Sequence, residues 1–238
     1  MKKKKILKII IFILILVIAF SIYKIGTTLY SYYEAEKTYE SIREDAGVSD
    51  NFSGSIDFDM LLGVNKDVVG WIYSEGTVIN YPIVKSRDNN EYLYKLITGE
   101  YNSNGTIFVD YRCDEPFVGF NTVIHGHHMN DGSMFCSLED YSGIEYYNEH
   151  KTIDIITPDN WYEMVVFASF IPKAGSEVYT MNIESTESKE MLLDYIKAQS
   201  DIETGIDVTA DDKIVTLSTC AYKFENARTV VIGKLIEK

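Results

Sequence analysis

A long apolar run beside a cluster of lysines dominates the first 24 residues of the chain. Residues 6–23 read ILKIIIFILILVIAFSIY and are interrupted only by Lys8 and Ser21. At about 1.5 Å per residue, a helix over this run spans roughly 27 Å, which is close to the thickness of the bilayer hydrocarbon. Lys8 lies near the end of the run, where a long side chain reaches the interface. The sequence therefore predicts a transmembrane helix.

An uncleaved signal anchor is the best interpretation of this run. The alternative is a cleaved secretory signal, but no small-x-small cleavage site follows the apolar residues. A buried core helix is disfavoured because an all-apolar helix beside consecutive lysines has no polar face to present to water. Flanking lysines stay in the cytoplasm. We therefore expect a single-pass protein of the cell membrane, anchored in lipid, with the rest of the chain extracytoplasmic.

Charge is divided unevenly between this segment and the rest of the chain. The whole chain has 36 acidic and 22 basic residues, a formal charge of -14, and six of the lysines lie in the first 24 residues. The remainder has 36 acids against 16 bases, a charge of -20. Nucleic-acid binding requires lysine and arginine to neutralise phosphates, so no nucleic-acid partner is predicted. The predicted parts are an anchor at 1–24, a helical stalk or linker at 25–50 and an extracytoplasmic domain at 51–238.

The domain shows a β pattern that begins after two helical segments. Residues 27–46 are rich in helix formers and end at a glycine, and a joint at 48–54 and a short helix at 58–64 follow. From residue 68 onward, β-type runs alternate with turn residues. The predicted strands are 68–73, 78–84, 106–110, 121–125, 152–157, 161–171, 213–220 and 229–236. Eight strands with a later amphipathic helix at 187–200 favour a mainly β barrel or sandwich with peripheral helices.

Three cysteines leave at least one thiol unpaired, and Cys220 has the most informative position. It ends the run IVTLSTC, an apolar strand that closes on small hydroxyl residues. Arg228 follows eight residues later, so a hairpin would bring its guanidinium close to the sulfur. A fixed cation favours a thiolate and stabilises an oxyanion, and a cysteine nucleophile needs both. A buried, inert thiol is the alternative, while Cys113 and Cys136 are either two thiols or one disulfide.

Three of the four histidines, His125, His127 and His128, lie together directly after a predicted strand. Histidine is the usual general acid or base for a cysteine nucleophile, and it is often distant from the cysteine in sequence. These histidines with Cys113 or Cys136 would also supply nitrogen and sulfur ligands for zinc. No CxxC or HExxH spacing supports such a site, so neither a metal nor another cofactor is predicted.

Taken together, these features resemble the sortases, which are membrane-anchored cysteine transpeptidases of Gram-positive bacteria, and they match class B most closely. The decisive motifs are the N-terminal anchor, TLSTC at 216–220 with an arginine eight residues on, and GHHM at 126–129. Further similarity lies in NKDVVGWI at 65–72, INYPIV at 79–84, DNNEYL at 88–93, GTIFVD at 105–110 and GHHMNDGSMF at 126–135. The resemblance therefore covers most of the exposed chain.

The resemblance implies an eight-stranded sortase-type β-barrel and assigns roles to five residues. Cys220 is implied to be the nucleophile, His127 the general acid or base, and Arg228 the group that holds the substrate carbonyl and its oxyanion. Ser218 and Leu93 are implied to line the substrate pocket.

The sequence departs from the class just after the nucleophile. Where some members carry acidic residues, this chain has Ala221 and Tyr222. No residue that orients the histidine is therefore predicted.

The resemblance also implies a reaction and its partners. The enzyme is expected to cleave a C-terminal sorting signal after threonine, form a thioester acyl-enzyme, and transfer the surface protein to an amine of a peptidoglycan precursor. Class B similarity suggests an NPxTx-like signal, and LPxTG-like signals stay open. A pilin-polymerising sortase and a surface cysteine protease that releases its product to water are alternatives with the same thiol chemistry. A membrane-tethered binding domain without a reactive thiol is the non-catalytic alternative.

Overall fold

The computed structural model describes residues 2–48 and 55–238, so most of the predicted joint at 48–54 lies outside the described residues. The strands are β1 Val68–Tyr73, β2 Asn80–Lys85, β3 Ile107–Val109, β4 Asn121–His125, β5 Thr152–Ile156, β6 Trp161–Phe170, β7 Lys213–Cys220 and β8 Arg228–Glu237. The α-helices are α1 Lys2–Asp45, α2 Phe58–Val64, α3 Ile144–Glu149 and α4 Thr186–Gln199. Short 3-10 helices cover Glu91–Leu93, Cys136–Ser142 and Glu177–Tyr179.

The strands close into one barrel in the order β1-β2-β3-β4-β7-β8-β6-β5. β2 pairs with β3, and β4 with β7, in parallel, whereas the antiparallel pairing of β1 with β5 closes the ring. Every predicted strand is present, with its ends shifted by at most two residues. The mainly β fold is confirmed, and the barrel rather than the sandwich is correct.

Alternate residues of β7 face two different cores. Val215 and Leu217 belong to the core inside the barrel, whereas Ile214 belongs to an outer core that also contains Ile196 of α4. Because successive side chains point to opposite faces and both faces are covered, β7 is buried along most of its length, and its small hydroxyl side chains are buried together with its apolar ones. Burial ends at Cys220, which is partly exposed at the tip of the strand.

α1 is one continuous helix over the predicted anchor and most of the predicted stalk. Its N-terminal part is long and apolar enough to cross a membrane, and none of that segment is buried in the protein. Its C-terminal part packs against the barrel, where Tyr39 and Ile42 are buried and the Tyr39 hydroxyl donates to the Gly105 carbonyl. Gly47, with a φ of 74°, follows the helix in the left-handed conformation that commonly ends one.

Candidate active site

The five residues implied by the resemblance line a single cavity of about 250 Å³ at the ends of β4 and β7. They are Cys220, His127, Arg228, Ser218 and Leu93. The cavity is also lined by His125, a candidate zinc ligand in the sequence analysis, and by polar residues to which sequence reasoning gave no role: Asn89, Asp110, Arg112 and Tyr179. Residues from well-separated stretches of the chain therefore meet at one place.

The β7–β8 hairpin places the thiol beside the arginine. Cys220 and Arg228 are paired residues of this antiparallel ladder, and paired residues project their side chains to the same face with Cβ atoms about 5 Å apart. The Arg228 guanidinium donates to the Ala227 carbonyl at 2.9 Å. Among residues 2–48 and 55–238, no carboxylate pairs with it. Its positive charge is therefore available to the cavity.

His127 follows β4 after a glycine that packing requires. A Cβ on Gly126 would lie 2.5 Å from Ile107 Cδ1 and 2.7 Å from Phe135 Cδ2, which is too close for any other residue. The Gly126 amide donates to the Ser218 carbonyl at 3.1 Å and so ties this turn to β7. The turn brings His127 to the cavity that Cys220 lines.

A backbone carbonyl orients the His127 ring. His127 Nε2 lies 2.7 Å from the Leu93 carbonyl oxygen, and because a carbonyl only accepts, Nε2 carries the hydrogen. Nδ1 is then the ring nitrogen that exchanges a proton while His127 is neutral. Sequence reasoning missed this partner because a main-chain oxygen leaves no residue type to recognise. Leu93 thus orients His127 through its backbone carbonyl and also lines the cavity.

A buried carboxylate organises the other end of the cavity. Arg112 donates to both oxygens of Asp110, at 2.9 and 2.8 Å, and His125 and Asn89 each bond to Asp110 Oδ2 at 2.9 Å. The Asp110 side chain is only 1% exposed. Burial opposes its ionisation, but the hydrogen bonds from Arg112 and His125 outweigh burial and hold the pKa of Asp110 well below its ordinary value. This end is a closed network of paired charges.

Tyr179 connects the Asp110 network to β7. Its ring stacks on His125, with centroids 6.2 Å apart and planes 19° from parallel. Its hydroxyl shares a hydrogen bond of 2.9 Å with Ser218 Oγ. Because Ser218 is 1% exposed, its side chain is part of the packed floor of the cavity.

Comparison with known proteins identifies the family. The profile of the sortase domain family matches residues 72–236. Over its full length the chain is 31% identical to sortase B of Staphylococcus aureus, covering 99% of that protein. The chain belongs to the class B sortases. Sortase B of Listeria monocytogenes is 34% identical over 93% of each chain, and the crystal structure of Bacillus anthracis sortase B matches with a TM-score of 0.79 at 33% identity, covering 88% of this chain and 100% of that one.

This sortase is accordingly a cysteine transpeptidase, and all three of its thiols are free. Burial raises the pKa of Cys113 and, with nearby acidic side chains, that of Cys136. Cys136 Sγ lies 3.8 Å from His128 Nε2, which in turn bonds to Glu139 at 2.8 Å, so a second Cys–His–acid set exists outside the cavity. The raised pKa values disfavour the thiolate at Cys113 and Cys136. Cys220 differs from both in its position, because it is paired with Arg228 across the β7–β8 ladder.

The histidines of this sortase do not converge on a metal. His125 bonds to Asp110, His127 to the Leu93 carbonyl and His128 to Glu139, so the three rings have three different partners. In the part of the chain that the structure describes, no three histidine, cysteine or acidic side chains are arranged to hold a metal ion. The zinc arrangement considered from the sequence is therefore not assembled.

Proposed function

We propose that this sortase cleaves a C-terminal sorting signal after threonine and joins the released protein to an amine of a peptidoglycan precursor. The observation that carries the proposal is the pairing of Cys220 with Arg228, an arginine that no described carboxylate neutralises. A thiolate beside a free guanidinium suits acyl transfer, because the same cation that favours the thiolate can stabilise the oxyanion. His127 on the same cavity supplies the proton transfers.

The proposed acylation step begins with Cys220 as thiolate and His127 as imidazolium. The sulfur attacks the threonine carbonyl carbon, and the resulting oxyanion faces Arg228. As the C–N bond breaks, His127 gives its Nδ1 proton to the leaving amine, and a thioester remains on the enzyme.

The second step reverses the proton transfer. The acceptor amine attacks the thioester carbon, an amide forms, and the C–S bond breaks to release the thiolate. Neutral His127 takes the proton that the amine loses, so both groups return to their starting states. A thioester suits this chemistry because it retains enough acyl-transfer energy to react with an amine.

Structures of related sortases support both proposed substrates. Sortase B of Staphylococcus aureus has been solved as a substrate complex, at 34% identity to this chain with a TM-score of 0.71. A sortase B has also been solved as a complex with triglycine, at 35% identity with a TM-score of 0.72. By similarity, the cavity takes a sorting signal on the Cys220 side and an amine nucleophile afterwards. Class B membership favours an NPxTx-like signal over an LPxTG-like one.

The proposed location follows from α1. Its apolar part is exposed and long enough to span a bilayer, and its lysine-rich end would stay in the cytoplasm. The catalytic domain, predicted at 51–238, would then lie outside the cell beside the wall precursor. Tethering both partners to one surface raises their effective concentration.

The test uses the full chain in detergent micelles with peptides that carry NPxTx-like or LPxTG-like signals and triglycine as the amine. Mass spectrometry should find the peptide cleaved after threonine and ligated to triglycine. Cys220→Ala should abolish both products, whereas Cys136→Ala, the matched control for the second Cys–His pair, should retain them. Activity retained in Cys220→Ala would refute the proposed nucleophile, and hydrolysis that triglycine never diverts would indicate a protease.

A further inference from the structure

Two exposed tyrosines continue the cavity on the His127 side. The rings of Tyr94 and Tyr101 stack, with centroids 6.1 Å apart and planes 17° from parallel, and the Tyr94 ring lies 6.0 Å from the His127 ring. Tyr94 is 48% exposed and Tyr101 is 82% exposed. We call this pair the tyrosine ledge. Contiguous exposed aromatic surface beside a reactive group is typical of a ligand-binding surface.

The hairpin that carries the ledge is fixed in place. Lys95 and Tyr101 form an antiparallel bridge, and the Asn102 amide donates to the Tyr94 carbonyl at 3.0 Å. Leu96 and Ile97, between the two tyrosines, are buried in the barrel core. The rings are therefore presented to solvent by an ordered backbone, so a ligand would bind them with little ordering cost.

A groove continues from the ledge along α1. This space of about 570 Å³, here called the stalk groove, lies between α1 and the hairpin, and Tyr101 is part of its lining. Its charged lining residues are Glu34, Asp45 and Glu100 against Lys37. The hydroxyls of Thr38 and Ser41 also line it. Ile42 and Leu96 add apolar surface to the same lining. With three acids against one base, the groove suits a cationic peptide better than an anion.

The stalk groove also lies close to the anchor. Ser31 of α1 donates to Asn102 Oδ1 at 3.0 Å, which joins the hairpin to the helix. Ser31 follows the apolar run by eight residues, roughly 12 Å of helix. The end of the hairpin that carries Tyr101 therefore lies next to the part of α1 that follows the apolar run.

We propose that the stalk groove and the tyrosine ledge bind the amine acceptor, a peptide that carries an ammonium group. The acidic groove holds the peptide, and the ammonium crosses the faces of Tyr101 and Tyr94, where cation–π attraction favours it. The ammonium first loses one proton to solvent to become a nucleophilic amine, and His127 receives the second proton, which the amine loses as the amide forms and the C–S bond breaks. This site rests on the proposed transpeptidation, and it separates the acceptor path from the Asp110 end of the cavity.

The test measures how the acyl-enzyme of the full chain, in detergent micelles, divides between acceptors. The probes are a synthetic pentapeptide with a free lysine amine and hydroxylamine, which is too small to need the ledge. Tyr101→Ala and Tyr94→Ala should each raise the KM for the pentapeptide about 3- to 10-fold relative to capture by hydroxylamine. Tyr101→Phe keeps the ring and should recover most of the pentapeptide capture that Tyr101→Ala loses. Met191→Ala, which removes an exposed side chain on α4, is the control for exposure alone.

A second measurement does not depend on catalysis. Binding of the pentapeptide to the Cys220→Ala chain, followed by isothermal titration, should weaken by the same factor when Tyr101→Ala is added. Pentapeptide binding that is unchanged by Tyr101→Ala would overturn the acceptor site. So would tyrosine variants that lose pentapeptide capture and hydroxylamine capture to the same extent. Binding to phospholipid vesicles that requires Tyr101, without pentapeptide binding, would instead make the ledge a membrane contact. If the unaltered chain cleaves no signal peptide, the proposed function fails, and the titration still decides the ledge.

Discussion

The two ends of the cavity are built from the same residue types, one arginine and one histidine each. At one end, Arg112 and His125 both bond to the buried Asp110. At the other end, Arg228 and His127 bond to backbone carbonyls, and neither has a carboxylate partner among the described residues. A paired arginine or histidine is a structural element, whereas an unpaired one keeps its charge or its proton for a substrate. The carboxylate of Asp110 therefore distinguishes the two ends: the end that contains it is structural, and the end without it keeps its arginine and histidine for the reaction.

The largest expected effect contrasts the two histidines. His127→Gln should lower kcat/KM for signal-peptide cleavage about 10²- to 10⁴-fold, because it removes the group that exchanges protons with the leaving and incoming amines. His125→Gln should cost less than about 10-fold, because Asp110 already holds its Nε2 proton. Steady-state cleavage of a fluorogenic signal peptide measures both. Equal losses of kcat/KM in His127→Gln and His125→Gln would contradict the proposed difference between the two ends of the cavity.

The next effect contrasts the two arginines. Arg228→Gln should lower kcat about 10²- to 10³-fold, the typical cost of removing an oxyanion donor. Arg228→Lys should recover part of that loss, because lysine keeps the positive charge but lacks the planar set of N–H donors of the guanidinium. Arg112→Gln should act mainly on stability, since its guanidinium is bound to Asp110. A kcat loss in Arg112→Gln as large as that in Arg228→Gln would show that both cations face the reaction.

The sequence allowed one end of this cavity to be predicted and not the other. Cys220 and Arg228 flank a turn of a hairpin, so local strand pairing fixes their meeting, and a spacing of eight residues reveals it. Asp110 and His125 meet only because β3 pairs with β4 in one register. That register is a property of the closed barrel, and no local pattern shows it. The Leu93 carbonyl could not be found either, because every residue has one.

The same contrast applies to the fold. The strands were predictable because turn residues bound them and because the consecutive apolar residues Ile214 and Val215 of β7 are buried in two different cores. The division of the N-terminal region into anchor and stalk came from composition, yet α1 runs unbroken through both. Composition records the change from an apolar segment to a polar one. Backbone hydrogen bonding does not change there, so the helix continues.

The smallest expected effect on activity, and the sharpest test of the paired end, comes from Asp110→Asn. The amide keeps the shape but loses the charge that Arg112 and His125 share, so the free energy of unfolding should fall by about 1–3 kcal/mol while kcat falls less than about 10-fold. Glu139→Gln is the matched control, because Glu139 also bonds to a histidine but is 53% exposed, and it should change stability by less than about 1 kcal/mol.

The pH dependence of stability separates loss of charge from loss of packing at Asp110. The pKa of Asp110 is lower in the folded chain than its unfolded value of about 3.9, so its ionised form stabilises the fold above that value. As pH falls from about 4 toward the folded pKa, the unfolded chain takes up a proton that folded Asp110 does not, and this contribution is lost. Urea unfolding between pH 3 and pH 7 should therefore show a steeper acid decline for the unaltered chain than for Asp110→Asn. Parallel declines would mean that Asp110 acts through packing alone, and the two ends of the cavity would then differ in geometry rather than in charge.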